Sequence, residues 1–133
     1  ATDTSGNVYV ADVRNHTVRK ITPAGTVSTL AGLAGQEGAV NGTGSAARFS
    51  SPAGITADAS GNVFVADSGS HTVRKITPAG VVTTVAGVAG TNGSTNGAAT
   101  SATFNMPRSV PVDASGNVYV ADYANNLIRK ISF

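Results

Sequence analysis

Short runs whose side chains are apolar on both sides recur along this chain. In Val63-Phe64-Val65-Ala66, Val63 and Val65 face one way and Phe64 and Ala66 the other. A strand of this kind is buried on both faces. Val8-Tyr9-Val10-Ala11 and Val118-Tyr119-Val120-Ala121 repeat it, each preceded by Ser-Gly-Asn and followed by Asp, at a spacing of 55 residues. A second shared phrase follows each run: His16-Thr17-Val18-Arg19-Lys20-Ile21, His71-Thr72-Val73-Arg74-Lys75-Ile76 and Asn126-Leu127-Ile128-Arg129-Lys130-Ile131. A fixed period of this size predicts a repeat architecture.

The middle copy predicts four strands. Strand A spans 52–57, a hairpin turn follows at 58–62, and strand B spans 63–66. Strand C spans 71–77. Pro78-Ala79-Gly80 supplies turn chemistry, and strand D spans 81–86. Four short antiparallel strands buried on both faces describe a propeller blade, which needs neighbours stacked against it. The predicted fold class is all-β, a β-propeller unit 1–133 of three blades: B-C-D over 1–31, A-B-C-D over 52–86 and A-B-C over 107–133. Long Gly-rich connections occupy 32–51 and 87–106. The first repeat begins after its strand A and the last stops before its strand D. Three blades do not close a ring, so the expectation is half of a six-bladed propeller, completed head to tail by a second copy.

The pattern Asp-x-x-Gly-Asn-Val-Tyr-Val-Ala-Asp, then His/Asn-x-Val/Ile-Arg-Lys-Ile, with a Phe-x-x-Pro lead-in to strand A, resembles the NHL repeat, and the Gly-rich insertion resembles its bacterial version. The resemblance implies a β-propeller, commonly six-bladed, but no single function, since such propellers bind RNA, proteins or ligands, or act as enzymes. Enzymes on related six-bladed propellers tend to place metal ligands on strand A. Here Gly54-Ile55-Thr56-Ala57 and Ser109-Val110-Pro111-Val112 offer no Cys, His or Glu. The resulting expectation is a non-enzymatic scaffold or binding module with no catalytic residues, no metal and no cofactor. Two alternatives stand beside it: a fragment or engineered unit with no evolved ligand, and a hydrolase or lyase with a pore-centred metal.

Composition agrees with strands and turns: 16 Gly, 12% charged and 5% aromatic residues, with enough apolar content (41%) for a core. A net charge of +2 is weak support for a nucleic-acid partner. No cysteine is present, and no apolar run reaches the length of a membrane span. The expected partners are a second copy and a protein or carbohydrate ligand, with neither nucleic acid nor membrane. The compartment is left open.

Comparing the repeats with one another locates the candidate site. The A–B and C–D turns are nearly identical between copies, whereas the B–C loops and the long D–A connections differ. Both variable sets fall on one face of the ring, where binding residues concentrate. The candidate ligand-binding residues are Arg14, Asn15, His16, Arg48, Ser70, His71, Arg108, Tyr123 and Asn125. Residues that recur in every blade are read as structural. His16 and His71 hydrogen-bond within their own B–C loop. Asp12, Asp67 and Asp122 make Asx-type bonds to the following loop. The Arg-Lys pairs pack their stems between blades with their heads in solvent. Phe49 and Phe104 plug the long connections onto the blades.

Overall fold

The computed structural model describes residues 1–133, which form three antiparallel sheets. The first contains β1 (Val8–Asp12), β2 (Thr17–Ile21) and β3 (Val27–Gly32). The second runs, from its outer edge inward, β4 (Gly42–Thr43), β8 (Val81–Ala86), β7 (Thr72–Ile76), β6 (Val63–Asp67) and β5 (Pro52–Ala57). The third contains β9 (Pro107–Ser109), β10 (Val118–Asp122) and β11 (Leu127–Ile131). The ten expected strands are present in the expected order and pairing.

Two details differ from the sequence reading. Strand β4, taken as loop, adds itself to the outer edge of the second sheet, with Gly42 opposite Val82 and Thr43 opposite Val81. The Gly44 N–H donates to the Gly80 carbonyl at 3.0 Å and holds it there. In the third sheet, β9 stops at Ser109, and pairing resumes only as an isolated bridge between Val112 and Val118. Pro111 lies between them and has no N–H to donate.

The core lies between sheets. Tyr9, Val18 and Ala31 of the first sheet pack with Val63, Val65, Ile76 and Val82 of the second. Phe64, Ala66, Val73 and Ala86, on the other face of the second sheet, pack with Val118, Val120 and Ile131 of the third. Phe49 sits in the first cluster and Phe104 in the second, both carried in by the long connections and both buried. Each fully buried side chain of this size contributes about 1.5–3 kcal/mol.

An ion pair ties each connection down, wholly buried in the second sheet and partly exposed at the arginine in the third. Arg74 and Asp67 are wholly buried, 3.0 Å apart. The Arg74 guanidinium donates to the Val40 carbonyl (3.0 Å), the Arg48 carbonyl (3.1 Å) and the Asn41 side-chain oxygen (2.9 Å), and lies 5.2 Å from the Phe49 ring. Asp67 also accepts the Ser50 N–H at 2.7 Å. Burial pushes the Asp67 carboxyl up to about 6, against the pull of the Ser50 N–H and of Arg74, and burial also lowers Arg74. Arg129 repeats the arrangement with Asp122 (3.0 Å), the carbonyls of Thr103 and Thr95, the Asn96 side chain and the Phe104 ring. The Arg74 head therefore does not reach solvent and the Arg129 side chain is only 10% exposed, contrary to the sequence reading, because the connection folds over each and supplies acceptors. In the first sheet no connection covers the pair: Arg19 and Asp12 stand 3.5 Å apart and partly exposed.

The A–B turns behave as Asx turns. Asp3 accepts the N–H groups of Ser5 and Asn7 and the Asn7 side-chain amide, and Asp58 and Asp113 repeat this. The Asn7 side-chain bond, more than any other contact, holds the Asp3 carboxyl down at about 2, and Asn117 lowers Asp113 in the same way.

Two outcomes follow. Arg74→Met strands the buried Asp67 carboxylate and is expected to cost about 3–5 kcal/mol in urea unfolding, whereas Arg19→Met at the uncovered pair costs less than about 1 kcal/mol. The folded state holds Asp3 and Asp113 below their unfolded values. Their stabilisation is therefore present above the ordinary value of 3.8 and is lost as pH falls through the lowered folded values, about 2 for Asp3. Urea midpoints measured across that window should fall less steeply in an Asp3→Asn, Asp113→Asn variant than in the parent.

Candidate functional site

Each B strand ends in an Asp and runs into a single 3-10 turn: Val13–Asn15, Ser68–Ser70 or Tyr123–Asn125. A residue in the left-handed region closes each turn, His16 (φ 57°), His71 (φ 59°) or Asn126 (φ 56°). His and Asn tolerate this conformation better than most residues. The long connections meet these turns. The Gly35 N–H donates to the Asn15 carbonyl (3.3 Å), the Gly90 N–H to the Ser70 carbonyl (3.1 Å), and the Ala124 N–H to the Asn105 carbonyl (3.0 Å). B–C turns and connections thus form one surface.

The histidines bond across sheets rather than within their own loop. The His16 Nδ1 accepts the Ser51 N–H at 3.2 Å, and the His71 Nδ1 accepts the Met106 N–H at 3.1 Å. Each turn is already closed by its own backbone bond, which leaves the ring nitrogen for the lead-in to the next sheet. Ser51 and Met106 both have φ of 52°, so the imidazoles anchor the two non-glycine lead-in residues held in the left-handed region.

The nine candidate residues divide into two groups. Ser70 is buried. Asn15 and Asn125 donate to Asp12 and Asp122 at 2.8 Å, and Asn125 also to the Gly93 carbonyl at 2.7 Å. The Arg48 guanidinium is held by the carbonyls of Ser45 (2.6 Å) and Ala47 (2.7 Å). With the two histidines, these side chains build the loops. Arg14, Arg108 and Tyr123 remain exposed. The Arg108 guanidinium stacks 3.8 Å from the centre of the Tyr123 ring, which is 53% exposed. The equivalent positions of the second sheet hold Ala53 and Ser68, so this cation–aromatic platform belongs to the third sheet alone.

The platform offers a flat ring face and five donors, a chemistry of stacking and hydrogen bonding. No three His, Asp or Glu side chains gather as a metal site, and no helix is long and apolar enough to cross a membrane. The sequence reading did not find the Asp–Arg–Phe clamp as one unit. Its trace was the Asp and Arg seven residues apart in each repeat (Asp12 and Arg19, Asp67 and Arg74, Asp122 and Arg129), with Asn41 and Asn96 in the connections.

Residues 49–76 and 104–131 match the model of the NHL repeat. Across 92% of its length the chain is 34% identical to human NHL repeat-containing protein 2, of which it spans 18%. Among solved structures, a protein of unknown function from Bacteroides thetaiotaomicron superposes with a TM-score of 0.87 at 33% identity, over 94% of this chain and 32% of that one. An auxiliary nutrient binding protein from the same species superposes with a TM-score of 0.84 at 26% identity, over 95% and 34%. The chain thus spans about a third of these solved chains and less than a fifth of the curated relative.

His16→Ala should lower stability by about 1 kcal/mol by leaving the Ser51 N–H unpaired. Tyr123→Ala should change it by less than about 0.5 kcal/mol. Thermal unfolding of the two variants separates the loop-building residues from the free platform.

Proposed function

We propose that this chain, a member of the NHL-repeat family, is a non-enzymatic binding scaffold: three propeller blades that close with a second copy into a six-bladed ring and present the B–C and connection-loop face to a ligand. The two open ends of the arc carry this reading. The free face of the first blade exposes Val8, Val10 and Val27, whose counterparts Val63, Val65 and Val82 are buried against the preceding blade. Val10 is 39% exposed and Val65 0%. On the third blade Ile128 is 76% exposed, whereas Val73 and Val18 in its position are 0% exposed against the following blade. The two free faces are the two halves of one interface, and a head-to-tail contact of that kind closes when its rotation fits a ring. Leaving both open exposes apolar surface that the interior of the arc buries.

The ligand suited to the Arg108–Tyr123 platform is a protein segment or a carbohydrate. A sugar ring stacks on an aromatic face, and guanidinium N–H groups take hydroxyl or carbonyl acceptors. The likeness to a nutrient binding protein supports a binding role.

The uncovered Arg19–Asp12 pair favours a second source for the missing blades. Both long connections of a second copy already sit over their own arginines, so NHL repeats of a longer polypeptide are the alternative partner for that end.

Light scattering tests the ring. A mass of twice the 13.1 kDa chain is expected, with Val10→Glu reducing it to that of one chain. A monodisperse single chain in the parent protein overturns closure by a second copy.

A further inference from the structure

Two histidines clasp the places where one sheet hands the chain to the next. At the lead-in to β5, neighbouring backbone N–H groups are caught from two sides. Ser50 donates to Asp67 at 2.7 Å and Ser51 to the His16 Nδ1 at 3.2 Å. The lead-in to β9 repeats this, with Asn105 donating to Asp122 at 2.7 Å and Met106 to the His71 Nδ1 at 3.1 Å. The aspartate belongs to the sheet being entered and the imidazole to the sheet being left.

Each imidazole can make this bond in one protonation state. Nδ1 accepts while the ring is neutral, with its proton on Nε2. The imidazolium carries a proton on both nitrogens and has no acceptor left. Both rings are half-buried, so protons reach them from solvent without unfolding. Neither ring is paired with a carboxylate, so charging it gains no ion pair in exchange for the lost bond. The ionisable groups around the first junction are engaged elsewhere: Asp12 with Asn15 and Arg19, Glu37 with the Ser50 hydroxyl, Arg48 with two carbonyls, and Asp67 with Ser50 and Arg74. Arg14 on the turn is exposed. At the second junction Asp67 is held by Arg74, Asp122 by Asn105, Asn125 and Arg129, and Arg108 lies on the Tyr123 ring.

We infer that His16 and His71 are acid-released latches: on protonation each lets go of the lead-in to the following sheet and loosens the loop face. The release has a direction. Ser51 and Met106 are held at φ of 52°, and each precedes a proline, which favours extended backbone. An ordinary imidazole changes charge between about pH 5 and 8, which places the release in mild acid. At the first junction the Asp67 carboxyl, pushed up to about 6 by burial, weakens the adjoining hold on Ser50 in the same range. At the second, Met106 runs through Pro107 into Arg108, so that latch also seats the guanidinium on Tyr123. The inference goes beyond the proposed function and needs neither a ring nor a ligand.

The chain supplies its own control. In the third repeat Asn126 occupies the histidine position with the same left-handed backbone, φ 56°. An asparagine Oδ1 stands where the imidazole Nδ1 does, accepts a hydrogen bond and does not titrate. Amide exchange of the ¹⁵N-labelled full chain, divided by the intrinsic rate at each pH, provides the test. Protection at Ser51 and Met106 is expected to be about 5-fold lower at about pH 5 than at about pH 7.5, with amides inside β6 and β7 unchanged. In His71→Asn, Met106 should stay protected at both pH values while Ser51 keeps its response. His16→Asn should show the converse, so if one variant fails to fold the other makes the same comparison at its own junction. Equal protection of Ser51 and Met106 at both pH values in the parent overturns the proposal. So does a response at Met106 that survives His71→Asn, or at Ser51 that survives His16→Asn, since the aspartates or a general loosening then carry it.

Discussion

A sheet with apolar side chains on both faces has no stable existence alone, and this constraint organises the molecule. The second sheet shows it satisfied. One face is buried with Tyr9, Val18 and Ala31 and the other with Val118, Val120 and Ile131. The end sheets show it half satisfied. Val10 and Ile128 are chemically equivalent to buried core residues yet face outward. The stability of each repeat is therefore shared with its neighbours.

The connections between sheets are held by a second device with a different physical basis. Arg74, wholly buried, and Arg129, mostly buried, are cations whose desolvation is offset by an aspartate, two carbonyls and an asparagine oxygen. The acceptors all lie on the incoming connection or at the end of strand B. The pair thus fixes a long Gly-rich segment in one path, and Phe49 or Phe104 beneath it seals the gap between sheets. Where no connection arrives, at Arg19, the same residues relax to 3.5 Å and admit solvent. The contrast within one molecule separates the contribution of the loop from that of the ion pair.

The structure also separates side chains that build the loops from those that stay free. His16, His71, Asn15, Asn125, Arg48 and Ser70 lie on the variable face but are engaged in holding turns, lead-ins and connections. Arg14, Arg108 and Tyr123 are not, and the last two stack on each other at a place where the preceding repeat has alanine and serine. Sequence comparison between repeats grouped the B–C turns with the long connections, which the structure joins by backbone hydrogen bonds. It did not distinguish the two groups, because a hydrogen bond spanning 35 residues, such as that from Ser51 to His16, leaves no local trace.

The order and pairing of the ten expected strands were legible from the sequence alone. They depend on local physics: alternation of side chains, turn residues at fixed offsets and a 55-residue period that shows each element more than once. Burial of the strands on both faces was legible for the same reason. Two features were decided only by the tertiary structure. The arginine heads turned inward because a connection distant in sequence supplied their acceptors. Residues 42–43 became a strand because the edge of β8 lay open to them. Each depends on which edge or charge remains unsatisfied once the sheets are stacked, a property of the assembled arc that no single stretch of sequence contains.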